Sequence, residues 1–363
     1  MLKYFEVSGF KNFKDTISID FSDVRDYRFN KHCITDNSIG KIIIYGKNSI
    51  GKSNFGLALF DIVSHLSSKN VTPGLYDYYL NADNRKGYAE FRYIFEFGNV
   101  EMEYSYKKNQ KQSIIYEKLL MDHKMIFEKD AQDGIKVDLE EFAPTLNIDM
   151  IDVESLLKYI VVNTVIADEH PIKRLFNYVN HMLWFRSLDE NRYIGYKTKS
   201  DDYFDFIFEN KTLNEFEVFL HKAGVEEDLV VKTDNDGRKR LYFDTAVPLP
   251  FFRVASSGTK ALYTFFYWYK TAKKVSLLFI DEFDAFYHYE LAESIVGLLE
   301  KMQQTQVILT THNTNLLTNR IMRPDCYFIL TKSRLTSFAN ATNRELREGH
   351  NLEKLFMSGE FDG

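Results

Sequence analysis

The chain has 363 residues, enough for two domains or for one large core carrying an insertion. It is 45% hydrophobic and 27% charged, so it is globular, and its net charge of −6 gives no global field that calls for nucleic acid or an anionic membrane. Cys33 and Cys326 are too few for a disulfide framework and suit a reducing compartment, and no run of 18 apolar residues predicts a membrane span. The opening MLKYFEVSGFKNFKD alternates and is charged, unlike a signal peptide. The expectation is a soluble, cytoplasmic protein.

In chain order, Leu2–Ser8 and 16–21 read as strands, followed by Lys41–Tyr45 and a helix from Gly51 to about Leu66. Between strand and helix, residues 46–53 read GKNSIGKS, which fits G-x-x-x-x-G-K-[ST] in the context where that pattern forms a phosphate-binding loop. Gly46 and Gly51 permit a tight turn whose N–H groups, from Lys47, Asn48, Ser49 and Asn54 among them, converge on one anion. Lys52 reaches the β- and γ-phosphates of a nucleoside triphosphate, and Ser53 is a Mg²⁺ ligand. The start of the helix adds its positive end.

Residues 88–127 alternate with period two and predict an antiparallel meander. Further on, Leu156, Leu157, Ile160 and Val161 suit one helix, and Ile172, Leu175, Val179 and Met182 a second. Residues 229–243 return to strand around Asp234–Asn235–Asp236–Gly237, a hairpin signal stronger than its partial likeness to a calcium loop. Basic clusters lie at Lys107–Lys108–Lys111, Arg238–Lys239–Arg240 and Lys270–Lys273–Lys274, the first two read as loop or hairpin surfaces. The last third alternates helix 259–272, strand 275–280, helix 289–303, strand 306–310, short helix 313–319, strand 326–331 and a terminal helix at about 343–357, which implies a parallel sheet.

Three further motifs fall in this part. The strand ending at Ile280 runs into Asp281–Glu282: an acid at that strand end holds Mg²⁺, and the next one takes a proton from an attacking water. About twenty residues upstream, Ala255–Ser256–Ser257–Gly258–Thr259 opens a helix and offers N–H groups and a hydroxyl to an anion. Thr310–Thr311–His312–Asn313 then closes a strand with a histidine.

This order resembles the ABC-type ATPase heads of the SMC, RecF and OLD proteins, and most of all the small bacterial AAA-type ATPases of abortive-infection and phage-defence operons. Ser256 and Gly258 match the signature Ser and second Gly, and His312 the switch histidine that contacts the γ-phosphate. Residues 281–288 match the acid strand and D-loop, and SGFKNFKD the opening strand, with Lys11 toward the nucleotide. Ser257, Thr259 and His288 depart from the pattern, and neither Gln110 nor Gln112 is a good Q-loop residue. The resemblance implies an α/β P-loop NTPase fold: an ABC-type head with an N-terminal antiparallel β lobe and a helical or mixed insertion. Residues 1–127 and 246–363 would form the head, and 128–245 the insertion, mostly helical and suited to partner contacts.

The resemblance further implies ATP sandwiched with Mg²⁺ in a homodimer or higher homo-oligomer. Lys52, Ser53, Asp281, Glu282 and His312 would come from one protomer, and Ser256 and Gly258 from the other. Lys52, Glu282 and His312 would be catalytic. The leading expectation is an ATPase that gates a separately encoded effector, a nuclease or toxin, because the chain leaves no room after the His312 strand for an appended nuclease. The alternatives are a RecF-like ATPase that clamps DNA, with DNA or RNA as partner, and a scaffold with a structural ATP site. No membrane partner is expected.

Overall fold

The computed structural model describes residues 1–67, 74–139, 146, 148, 153–186, 192–195, 203–208, 210–271, 274–285 and 288–361. Two seven-stranded sheets organise them. The first is antiparallel, in the order Gly134–Val137, Lys124–Asp130, Ile114–Met121, Val100–Asn109, Tyr88–Phe97, Leu2–Ser8, Ile17–Asp20. Burial alternates residue by residue along Tyr88–Phe97, as a sheet with one covered face requires. The covered face is aromatic: Phe91, Tyr93, Phe95, Tyr104 and Tyr106 are buried together.

The second sheet has the order Arg192–Gly195, Met182–Arg186, Leu277–Asp281, Gln306–Thr311, Lys41–Tyr45, Tyr327–Leu330, Leu335–Ser337. Its five inner strands run parallel and the two edge strands antiparallel. Every residue of Lys41–Tyr45, Leu277–Asp281 and Gln306–Thr311 is buried, which is why these runs are apolar without alternating. The helix Lys52–Leu59 lies so close on this sheet that a Cβ on Gly56 would come within 2.8 Å of the Phe279 ring. A small third sheet pairs Leu229–Thr233, Lys239–Phe243 and Leu249–Pro250. Among the described residues no helix is long and apolar enough to cross a membrane.

The two large sheets are joined by polar contacts as well as by packing. The Gln306 side chain donates to the Leu2 carbonyl and accepts from the Leu2 N–H, both at 2.9 Å, as a neighbouring strand would. Asp61, which opens a second helix (Asp61–Leu66), is 1% exposed and accepts from Tyr79 (2.8 Å), Tyr106 (2.9 Å) and Lys108 (2.7 Å). His65 in the same helix meets the Tyr104 hydroxyl at 3.0 Å, and Tyr104 donates to Glu117. Glu117 also accepts from Ser155 and from the first N–H groups of the helix Leu156–Asn163, so a buried carboxylate closes that helix start.

Several expectations are corrected. The helix after the phosphate-binding loop is two helices, broken at Phe60. Lys108 is not on a surface: it is buried against Asp61, because strand alternation turns it to the covered face beside Tyr106. Met182 does not continue the helix Pro171–Asn180 but opens a strand that pairs in parallel with Leu277–Asp281. Part of 128–245 therefore supplies a strand of the parallel sheet, and among the described residues the segment holds strands as well as helices. The hairpin expected around Asp234–Gly237 does form, and there Asp234 and Asp236 bind the Arg240 guanidinium. The terminal helix is shorter than expected, Leu352–Met357, and 313–319 holds only a 3-10 turn, Thr314–Leu316.

Replacing Lys108 with Met leaves Asp61 as an uncompensated buried charge. The expected loss is about 3–5 kcal/mol of unfolding free energy, read from urea denaturation; a loss below about 1 kcal/mol would mean that the tyrosine hydroxyls alone suffice.

Candidate nucleotide site

Three neighbouring parallel strands end at one edge. Register places Tyr45 beside Thr311 and Ile280 beside Leu309, so Gly46, Asp281 and His312 leave the sheet together. The loop from Gly46 is anchored by its N–H to the Thr311 carbonyl (3.4 Å). A Cβ on Gly46 would meet Ile50 at 2.9 Å, and one on Gly51 would meet the Asn12 amide at 2.4 Å. Gly51 also has φ of 113°, open to glycine and strained for other residues. Lys47, Asn48 and Ser49 are exposed along the loop, and the helix Lys52–Leu59 begins directly after Gly51.

Lys52 is only 4% exposed. Its ammonium donates to the Gly46 carbonyl (2.7 Å) and the Lys47 carbonyl (3.4 Å), and pairs with Glu282 Oε1 at 3.0 Å. The other Glu282 oxygen lies 3.0 Å from His312 Nδ1. Lys52, Glu282 and His312 thus form one polar chain across three elements. Glu282 sits at φ of 48°, in the left-handed region that costs a non-glycine residue about 1 kcal/mol or more.

Thr310 fixes the acids. Its hydroxyl donates to Asp281 Oδ1 (2.7 Å) and accepts the Glu282 N–H (2.8 Å). Ser53 also hydrogen-bonds Asp281. Burial pushes the Asp281 carboxyl above its ordinary value; the bonds from Ser53 and Thr310 oppose that shift, Glu282 adds to it, and Arg186 lowers it. Arg186 ends the fourth parallel strand directly beside Asp281. Thr311 donates to Asp284 (2.8 Å) and accepts the Asn313 N–H (2.9 Å), which holds the turn carrying His312.

Five of the residues expected from sequence, Lys52, Ser53, Asp281, Glu282 and His312, therefore share one network. Ser256 and Gly258 lie outside it. Ser256 instead caps the helix Ser257–Thr271, accepting the Thr259 N–H at 3.0 Å and contacting its hydroxyl at 2.8 Å. Lys11 is not directed into the network but donates to the Asp77 carbonyl (2.8 Å). Its neighbour Asn12 supports the loop, donating to the Ile50 carbonyl and accepting from Asn54. Of the D-loop segment, Phe286 and Tyr287 lie outside the described residues. Thr310, Thr311, Asp284, Asn12 and Arg186 are the site residues that sequence reading missed. The Thr-Thr pair beside His312 was the visible signal for the first two. The oxygen donors of Ser53 and Asp281 are a hard set suited to Mg²⁺, and the glycine turn ahead of a helix suits a phosphate chain.

A family model described as "AAA domain, putative AbiEii toxin, Type IV TA system" matches residues 41–318. No curated protein sequence matches the chain significantly. Solved structures similar to it include an Smc head bound to the C-winged helix domain of ScpA, at 14% identity and TM-score 0.48, covering 93% of this chain and 97% of that one. The SMC head domain from Thermotoga maritima is 16% identical at TM-score 0.43, covering 93% and 98%. An Smc head with an extended coiled coil, bound to the C-terminal domain of ScpA derived from Pyrococcus furiosus, is 12% identical at TM-score 0.49, covering 93% and 96%.

Gly51→Ala is expected to cost at least about 1 kcal/mol in chemical denaturation, with Asn12 displaced from the loop. Asp281→Asn tests the buried acid. Because the folded-state pKa lies above the ordinary 3.8, the parent loses stability as pH rises from that value toward the raised one. The melting temperature of Asp281→Asn should therefore gain on the parent as pH rises above the ordinary carboxylate range. A variant that instead loses ground to the parent as pH rises would contradict the assignment.

Proposed function

Because the chain belongs to this AAA-domain family, we propose that it binds and hydrolyses ATP between two copies of itself and gates a separately encoded effector. The observation that carries this reading is the convergence of Lys52, Ser53, Asp281, Glu282 and His312 at one sheet edge, while the Ser256–Gly258 helix start stays outside. A site split in this way becomes complete when a second protomer brings its helix start to the phosphates.

In this reading the loop N–H groups and Lys52 hold the β- and γ-phosphates, and Ser53 and Asp281 hold Mg²⁺, which neutralises phosphate charge when bound. Phosphate oxygens compete with Glu282 for the Lys52 ammonium, so nucleotide binding frees one carboxylate oxygen to accept a proton from water. His312 orients that carboxylate from its other oxygen and adds a donor near the γ-phosphate. Ser256 and Gly258 of the partner protomer grip the same phosphate, so ATP acts as interface glue and hydrolysis loosens it. The family description supports an association with a type IV toxin–antitoxin system; the antiphage role and a separate nuclease or toxin as effector rest on the resemblance read from the sequence.

Glu282→Gln should double in mass by light scattering when Mg·ATP is added, with turnover lower by about 10²–10³. An unchanged monomer would remove the two-protomer site, and turnover at the parental rate would remove Glu282 as the base. Lys52→Ala should weaken nucleotide binding by about tenfold or more in a titration with labelled ATP.

A further inference from the structure

At the opposite end of the strand that leads into the loop, three unlike metal ligands meet. His32 and Cys33 belong to a short turn, Lys31–Cys33, whose Cys33 carbonyl accepts the Gly40 N–H at 2.8 Å. Glu300 follows the helix Tyr289–Leu299. One ring nitrogen of His32, Sγ of Cys33 and one Glu300 oxygen lie within 4.8 Å of one another. His32 Nε2 and Glu300 Oε2 are 3.2 Å apart. Cys33 is fully buried and His32 half exposed, so an ion would enter from the His32 side. Both cysteines are free thiols, and Cys326 lies beside Cys33 with its S–H donated to Asp325 Oδ1 at 3.8 Å.

A surface His–Glu pair accounts for two of these groups at a value of about 1 kcal/mol or less. It gives no reason for a buried thiol aimed at the same point. Thiol, imidazole and carboxylate together select zinc over magnesium or calcium, which prefer oxygen alone. Tetrahedral bonds of about 2.0–2.3 Å need donors about 3.3–3.7 Å apart. The cluster would contract by about 1 Å, which rotamers of His32 and Glu300 can supply.

We propose that His32, Cys33 and Glu300 bind one zinc ion, with Cys326 as the hydrogen-bond partner of the metal-bound sulfur. Binding replaces the Cys33 S–H by S–Zn and releases that proton to solvent. Lys41 lies within charge range of Cys33 and Glu300 and opposes a second cation, its ammonium being held by the Met302 (3.0 Å) and Thr305 (2.8 Å) carbonyls. The ion would tie the segment around residues 31–40 to the 300–305 loop, a structural role beneath the sheet rather than at its reactive edge.

The test uses the full chain stripped with a chelator, loaded with Zn²⁺ alone, desalted and assayed for metal, with Co²⁺ as a spectroscopic substitute. The parent should retain one zinc per chain and show thiolate-to-cobalt absorption. Cys33→Ser should lose both, and His32→Ala, changed at a half-exposed position and so expected to fold, should bind at least tenfold more weakly. Cys326→Ser should weaken binding by about tenfold. A parent that retains no zinc, or His32→Ala and Cys33→Ser that hold it as tightly as the parent, would overturn the site. No nucleotide enters the assay, so its outcome is independent of the ATPase reading.

Discussion

Parallel register is the constraint on which the rest depends. Lys41–Tyr45, Gln306–Thr311 and Leu277–Asp281 are buried on both faces, so each can occupy one alignment without exposing apolar groups or orphaning ladder hydrogen bonds. That alignment carries Gly46, His312 and Asp281 out of the sheet at one level. Separations of more than two hundred residues in sequence become hydrogen-bond distances because the strands, not the loops, set them. Thr310 and Thr311 then convert strand alignment into side-chain alignment, one through the two acids and the other through Asp284 and Asn313.

The candidate site was largely legible in sequence because the motifs that converge there are local. GKNSIGKS, the acid pair and the strand-end histidine each announce themselves within a few residues, and their order supplies the rest. The meander was legible for the same reason, since alternation from Tyr88 onward has one interpretation. What escaped was what only tertiary contact defines. Met182–Arg186 joins the central sheet beside Leu277–Asp281, yet its apolar run continues the helical pattern of Pro171–Asn180 without a glycine or proline between them. Lys108 reads as a surface lysine until Asp61, 47 positions away, is known to face it. Asn12 sits beside Lys11 in the opening SGFKNFKD, where nothing marks it as the loop's support, and Arg186 lies outside every motif; only the fold brings them to the edge.

The two sheets are not independent layers. Gln306 extends the ladder sideways to Leu2, and Asp61 gathers two tyrosines and a lysine from around the second helix. That helix follows the phosphate loop helix after a single break at Phe60. Continuing through His65, Tyr104 and Glu117, the polar path reaches the start of Leu156–Asn163. The buried groups on it take partners from other elements, so the sheet lobe and the helices around the loop hold their geometry jointly.

Glu282 gives this architecture a conflict of interest. Its left-handed backbone is a standing penalty that asparagine would reduce and glycine would remove, and neither keeps a carboxylate on a side chain of glutamate length between Lys52 and His312. Against that penalty stands the ion pair with Lys52, which only a carboxylate of this reach supplies. In a library sorted by folding stability, the residue kept at position 282 would report which is larger, the strain of the backbone or the pairing with buried Lys52.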